Sequence, residues 1–154
     1  MTGANDGTML QPSDLGVGPK LGLTRTGNSV ERSLAVGKKV VHFEVIGKDG
    51  KKLQNFYSKL FDWKVDANNP MNYGIVSAAD SGLGGGISAG QPGESGRVTF
   101  YVEVEDLDEY LKKATTLGGK TIMPPTDVPG GPRMAMFTDP EGHIVGMIKA
   151  GSMA

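Results

Sequence analysis

From Val40 onward, apolar and polar positions fall into a regular order. Val41, Phe43 and Val45 alternate with His42, Glu44 and Ile46, the period-two signature of a strand with one buried face and one of mixed polarity. Leu53, Phe56, Tyr57, Leu60 and Phe61 then recur at helical spacing and predict a helix from about Gly50 to Leu60. Tyr73 to Ser77 and Gly84 to Ala89 are two short strand candidates separated by an Asp80-Ser81-Gly82 turn, the second weakened by its glycines. The pattern restarts at Val98, with Phe100, Val102 and Val104 alternating with Thr99, Tyr101 and Glu103. Asp106 followed by Glu109 opens a second helix with the stripe Leu107, Tyr110, Leu111, Ala114 and Leu117, and Gly118 supplies the left-handed residue that ends it. After a loop from Pro124 to Pro132, Met134 to Thr138 and His143 to Ile148 flank Asp139-Pro140-Glu141-Gly142, a tight hairpin turn.

The two organised stretches are one unit written twice. With His42 set over Thr99, Leu53 falls over Tyr110, Tyr57 over Ala114 and Leu60 over Leu117 without a gap. A duplicated unit buries its apolar face against its partner, and two such halves enclose a shared concave surface suited to a small molecule. The expected fold class is α+β, two tandem βαβββ modules spanning residues 39–92 and 97–150 of a single 39–150 domain. Residues 1–38 carry Gly, Ser, Thr, Asn and Pro with scattered apolar residues of no period, and read as a flexible N-terminal arm, with one possible helical turn near Ser29 to Ala35. The rival reading of the arm is a partner-binding or swapped segment.

Composition narrows the partners. A net charge of −1 gives no electrostatic reason to expect nucleic acid or an anionic membrane. Cysteine is absent, which removes disulfides, thiolate ligands and thiol nucleophiles together. No apolar run approaches the ~20 residues of a membrane span, and the opening residues lack the basic and apolar regions of a secretory signal, so a cytoplasmic location is the expectation. The Gly118-Gly119-Lys120-Thr121 stretch follows a helix instead of opening one, so it reads as a helix end and not as a phosphate loop.

The segments VVHFEV, NFYSKLFDWKV, VTFYVEVEDLDEYLKKATTLGGK and MFTDPEGHIVGMI, in this order, resemble the vicinal oxygen chelate superfamily, which includes glyoxalase I, extradiol dioxygenases, fosfomycin-resistance enzymes and bleomycin-binding proteins. The resemblance implies a cupped mixed sheet with a central groove and, in metal-dependent members, a His or similar ligand from the first strand of each module and a Glu from the last. His42 matches the first position. Thr99 stands at the second strand position, Gly146 where the final Glu belongs, and the remaining carboxylate position falls near Gly86. A catalytic divalent ion needs about three protein ligands and an open position, and His42 with Glu44 supplies at most two donors. No metal ligand set and no cofactor is therefore expected, with a divalent metal as the minority alternative.

Strand parity places Glu44, Thr99, Tyr101 and Glu103 on the side of His42. The resemblance adds Met134 and Met136, which match site-lining positions of the fosfomycin enzymes, and Tyr73 completes the candidate ligand-binding set. Such a wall fits an amphipathic organic molecule, with thioethers adapting to shape and polar groups setting orientation. The bland alternative is a partly filled groove or a dimer contact, and for His42 a side chain satisfied by Glu44 or a backbone carbonyl. Trp63, Phe56 and Phe61 are expected to pack between helix and sheet, and His143 to be exposed in its turn. The leading expectation is a metal-independent binding protein for a small organic molecule, a homodimer by family analogy. The alternative is a glyoxalase-like lyase or isomerase, or a dioxygenase-related enzyme, with His42, Glu44 and Glu103 as candidate catalytic residues.

Overall fold

The computed structural model describes residues 37–153. The expected arm over residues 1–38, its helical turn included, lies outside the described residues up to residue 36. Lys38 is described, and its Nζ pairs with Glu105 at 2.6 Å.

The first half runs β1 (Val40–Gly47), α1 (Gly50–Phe61), β2 (Val65–Asp66), β3 (Gly74–Val76), α2 (Ala78–Ser81) and β4 (Gly85–Ala89). The second runs β5 (Arg97–Val104), α3 (Leu107–Thr116), β6 (Lys120–Asp127), β7 (Arg133–Thr138) and β8 (Ile144–Lys149). All eight strands join one mixed sheet in the order β2-β3-β4-β1-β5-β8-β7-β6, which reads the same from either end once the halves are matched. β1 and β5 meet antiparallel at the centre, and each is flanked on its other side by the last strand of its own half, paired in parallel. Parallel neighbours require a crossover connection, and α1 and α3 begin those connections.

The two helices cover one face of the sheet. Val45, Val76 and Ile87 pack under Leu53 and Tyr57 of α1, while Val104, Ala135 and Met147 pack under Leu107 and Leu111 of α3. Both helices start on an aspartate whose carboxylate accepts a backbone N–H three residues on, Asp49 from Lys52 and Asp106 from Glu109, each at 2.9 Å. Gly118, with φ 98°, follows the end of α3. No helix among the described residues is long and apolar enough to cross a membrane.

Three expectations need correction. The Asp80-Ser81-Gly82 turn is the end of a one-turn helix, α2, capped by the Ser77 side chain. The loop expected from Pro124 is strand as far as Asp127: β6 is an edge strand bonded only to β7, where a missing proline N–H leaves no ladder partner unsatisfied, and its register shifts twice near the prolines. Phe56 and Phe61 are 57% and 51% exposed, so they do not lie between helix and sheet. A stripe five positions wide exceeds what one sheet face can cover. Leu53 and Tyr57 occupy the line of contact, and Trp63 is half-buried against Phe43, ring centroids 5.5 Å apart.

Removing a cap isolates one of these local causes. Asp106→Ala is expected to lower stability by about 1 kcal/mol, and Asp106→Asn by far less, read from denaturant midpoints at unchanged m-value.

Candidate functional site

On the sheet face opposite the helices, the β1–β5 seam sets His42 across from Tyr101 and Glu44 across from Thr99. Directly paired residues share a face, so these four side chains project together. The outer neighbours continue the row with two glycines, Gly86 beside Glu44 on β4 and Gly146 beside Tyr101 on β8. Both are filled from elsewhere. A Cβ on Gly86 would collide with Tyr73 Oη, and a Cβ on Gly146 would collide with the Tyr101 ring. Each phenol ring thus lies across bare backbone, which only glycine allows.

The two phenols converge on one carboxylate. Tyr101 Oη donates to Glu44 Oε1 at 2.9 Å, Tyr73 Oη donates to Glu44 Oε2 at 3.0 Å, and Arg97 Nη2 donates to Oε1 at 3.0 Å. Nη1 of the same guanidinium pairs with Glu94, and its buried Nε has no hydrogen-bond partner among the described residues. His42 Nε2 closes the chain at 2.9 Å from Tyr73 Oη. Glu44 is buried, and a buried carboxylate is tolerated because charged and polar donors take up its oxygens. β1, β5 and the residue preceding β3 are joined through this one group.

Electrostatics follow from that burial. Burial, and then the neighbouring Glu44 charge, push both tyrosine hydroxyls well above their ordinary pKa, so both stay protonated donors. Burial lowers the pKa of His42, with Glu44 opposing it, so the imidazole favours its neutral form. Burial works against the Arg97 charge, but Glu44 and Glu94 outweigh it and raise its pKa.

Of the residues expected at the site, His42, Glu44, Tyr73 and Tyr101 form this connected network. Thr99 is buried beside them, but its hydroxyl donates to the Ile144 carbonyl. Met136 is buried against Tyr101 and Ile148, with Met134 half-buried alongside, so this end of the face is packed by its own side chains. Glu103 stands opposite Ile148 on the same face, and no described residue pairs with its carboxylate. His143 is exposed and bonds Asp139 at 3.0 Å. Sequence reasoning missed Arg97. It lies two residues before Thr99 with the same strand parity, so the alternation that selected Thr99, Tyr101 and Glu103 also points to it.

The donor set does not fit a divalent ion of the kind the resemblance implies. Tyr73 takes up Nε2 of His42, three donors take up the Glu44 oxygens, and Gly86 and Gly146 offer no side chain where carboxylates would be needed. Two surface depressions lie apart from the network, one between α3 and β6 lined by Leu111, Thr115, Thr121 and Pro124, the other at the start of α1 lined by Lys48, Lys52, Leu53 and Phe56.

Comparison with known proteins decides the family. The model of the Glyoxalase/Bleomycin resistance protein/Dioxygenase superfamily matches residues 39–147. The chain belongs to this superfamily. A putative glyoxylase, CFP32, of Mycobacterium bovis is 35% identical over 78 residues, which are 51% of this chain and 30% of that protein. The anthracycline biosynthesis protein DnrV of Streptomyces peucetius is 42% identical over 55 residues, 36% of this chain and 20% of that protein. The matched segments thus span less than a third of these curated relatives. Among solved structures, a superfamily member from Vibrio splendidus superposes with a TM-score of 0.53 at 16% identity, covering 73% of this chain and 99% of the other. Methylmalonyl-CoA epimerase from Mycobacterium tuberculosis gives 0.53 at 10% identity, with 71% and 86% covered. At these identities the superpositions show the shared fold.

Two outcomes are expected from the network. Glu44→Ala leaves two phenols and a guanidinium without their acceptor and is expected to cost about 3–5 kcal/mol, and the Glu44→Gln/Tyr101→Phe double-mutant cycle should give a coupling of at least about 0.5 kcal/mol. Because the His42 pKa is lower folded than unfolded, the unfolded chain binds more protons between the two values. The stability from neutral His42 is then present above the ordinary value of 6.5 and lost as pH falls through the folded value. Unfolding midpoints should fall on acidification through this window, and His42→Gln should flatten that slope.

Proposed function

We propose that this chain binds a small organic molecule without the help of a metal, the ligand lying on the sheet face opposite the helices at the His42 and Tyr73 end. The filling of the Gly86 and Gly146 positions by two glutamate-anchored tyrosines carries this reading. Where the resemblance implies carboxylate ligands, the chain supplies a protonated aromatic surface. Such a surface takes organic ligands by shape and hydrogen bonding, and the Glu44 oxygens are already engaged by the phenols and Arg97. Tyr101 and Met136 pack as core, which shifts the accessible part of the face toward half-buried His42 and Tyr73, and toward Ile75, 50% exposed opposite Gly86. The family is consistent with this, since its description includes bleomycin-resistance proteins as well as enzymes.

A second reading, a lyase or isomerase using His42 as a proton acceptor, is favoured by one observation: the imidazole is held by Tyr73 at one nitrogen only, leaving the other without a described partner. Its similarity to a putative glyoxylase and the fold it shares with methylmalonyl-CoA epimerase keep that chemistry in view.

Native mass spectrometry and thermal shift against a panel of small aromatic compounds separate these readings. Binding predicts a one-to-one complex, stabilisation that grows as the logarithm of ligand concentration, loss of both upon Ile75→Asp, and no change on treatment with EDTA. One stoichiometric transition metal that disappears with His42→Ala would overturn the metal-free reading. Turnover of a bound compound, abolished by the same substitution, would establish the enzyme instead.

A further inference from the structure

The geometry points to His42 as a fixed hydrogen-bond acceptor that makes this site select ligands carrying an O–H or N–H donor over anions. The inference rests on the binding reading above and adds the chemistry of what is bound.

The argument is one of proton placement. Tyr73 Oη has a single proton and two close partners, Glu44 Oε2 at 3.0 Å and His42 Nε2 at 2.9 Å. An ionised carboxylate can only accept, so the phenol proton points to Glu44. The phenol oxygen is then an acceptor toward His42, and Nε2 must carry the imidazole proton. The ring arrangement agrees: the two rings are 13° from parallel with centroids 6.4 Å apart, so with a 2.9 Å contact between N and O they meet edge to edge, the N–H directed in the plane of the phenol oxygen's lone pair. Neutral His42 therefore keeps its lone pair on Nδ1, which no described residue occupies, on a half-buried side chain of the proposed binding face. Charge reinforces the choice. Glu44 and Glu94 share the one guanidinium of Arg97, so the balance within this network is negative and disfavours an anionic ligand. The adjoining Tyr73 ring and exposed Ile75 favour an aromatic body for the donor. The expected ligand class is a phenol, or an amine on an aromatic frame.

Two histidines in the whole chain make the test direct. In His143→Asn protein, long-range proton–nitrogen correlation at about pH 8 reports the tautomer of His42 alone. The Nε2–H form is expected, with Tyr73→Phe, which removes the oxygen that selects it, giving a mixture of tautomers. 2-Naphthol and its methyl ether, 2-methoxynaphthalene, then serve as probes. Naphthol is expected to bind at least about tenfold more tightly and to move the Nδ1 resonance, while the ether leaves it in place. A free protein in the Nδ1–H form overturns the inference from wild-type residues alone, even if Tyr73→Phe fails to fold, and leaves the binding reading standing. Equal affinity for the two probes overturns donor selection and likewise leaves that reading standing. 2-Naphthoate is the anionic third probe: failure of all three to bind overturns the inference and the binding reading together, and naphthoate binding above naphthol overturns the preference against anions.

Discussion

A carboxylate buried in the middle of a sheet has to be satisfied, and the rest of this site follows from how Glu44 meets that demand. Three donors reach it from separate parts of the chain: Tyr101 and Arg97 from β5, and Tyr73 from just before β3. Each donor in turn imposes something else. Tyr101 lies where a side chain on Gly146 would stand, and Tyr73 does the same at Gly86. A single buried charge therefore explains why two glycines stand on the face opposite the helices, why a guanidinium is drawn in from β5, and why the imidazole of His42 has a defined hydrogen-bond partner.

The same constraint governs the positions at which the superfamily resemblance implies metal ligands. Metal sites of this type place carboxylates and imidazoles where they can converge on an ion. Here those positions hold glycines under tyrosine rings, and His42 and Glu44 are engaged with phenols. The oxygens of Glu44 are taken up within the network, while Arg97 Nε is buried without a hydrogen-bond partner among the described residues, and the half-buried members of the face are His42 and Tyr73.

The repeat in the sequence and the palindromic strand order are one fact seen at two levels. Each half cannot bury its own first strand, so the two first strands pair at the centre and each helix covers its own half. Correspondence of sequence positions did not guarantee correspondence of environment. Leu60 and Leu117 align in the repeat, yet both are exposed, because each sits past the line along which its helix touches the sheet. Phe56 and Phe61 fail for the same reason. Helical periodicity marks a face, while the width of that face in contact depends on what is opposite.

Alternation along β1 and β5 was sufficient to place His42, Glu44, Thr99 and Tyr101 on one side, since strand parity is a local property with period two, and it would have included Arg97 had it been followed two residues back. Helix caps at Asp106 and the hairpin at Asp139 to Gly142 were legible for the same reason: their causes lie within a few residues. What the sequence by itself could not determine was who bonds to whom. Tyr73 is 29 residues from Glu44 and Tyr101 is 57, and the Gly86 position that Tyr73 fills belongs to another strand. Only the tertiary structure decided that the absent ligands are replaced by phenols, that Thr99 turns to a backbone carbonyl, and that Met136 is core. These are outcomes of distance and register, which pairing between strands sets and residue order alone does not.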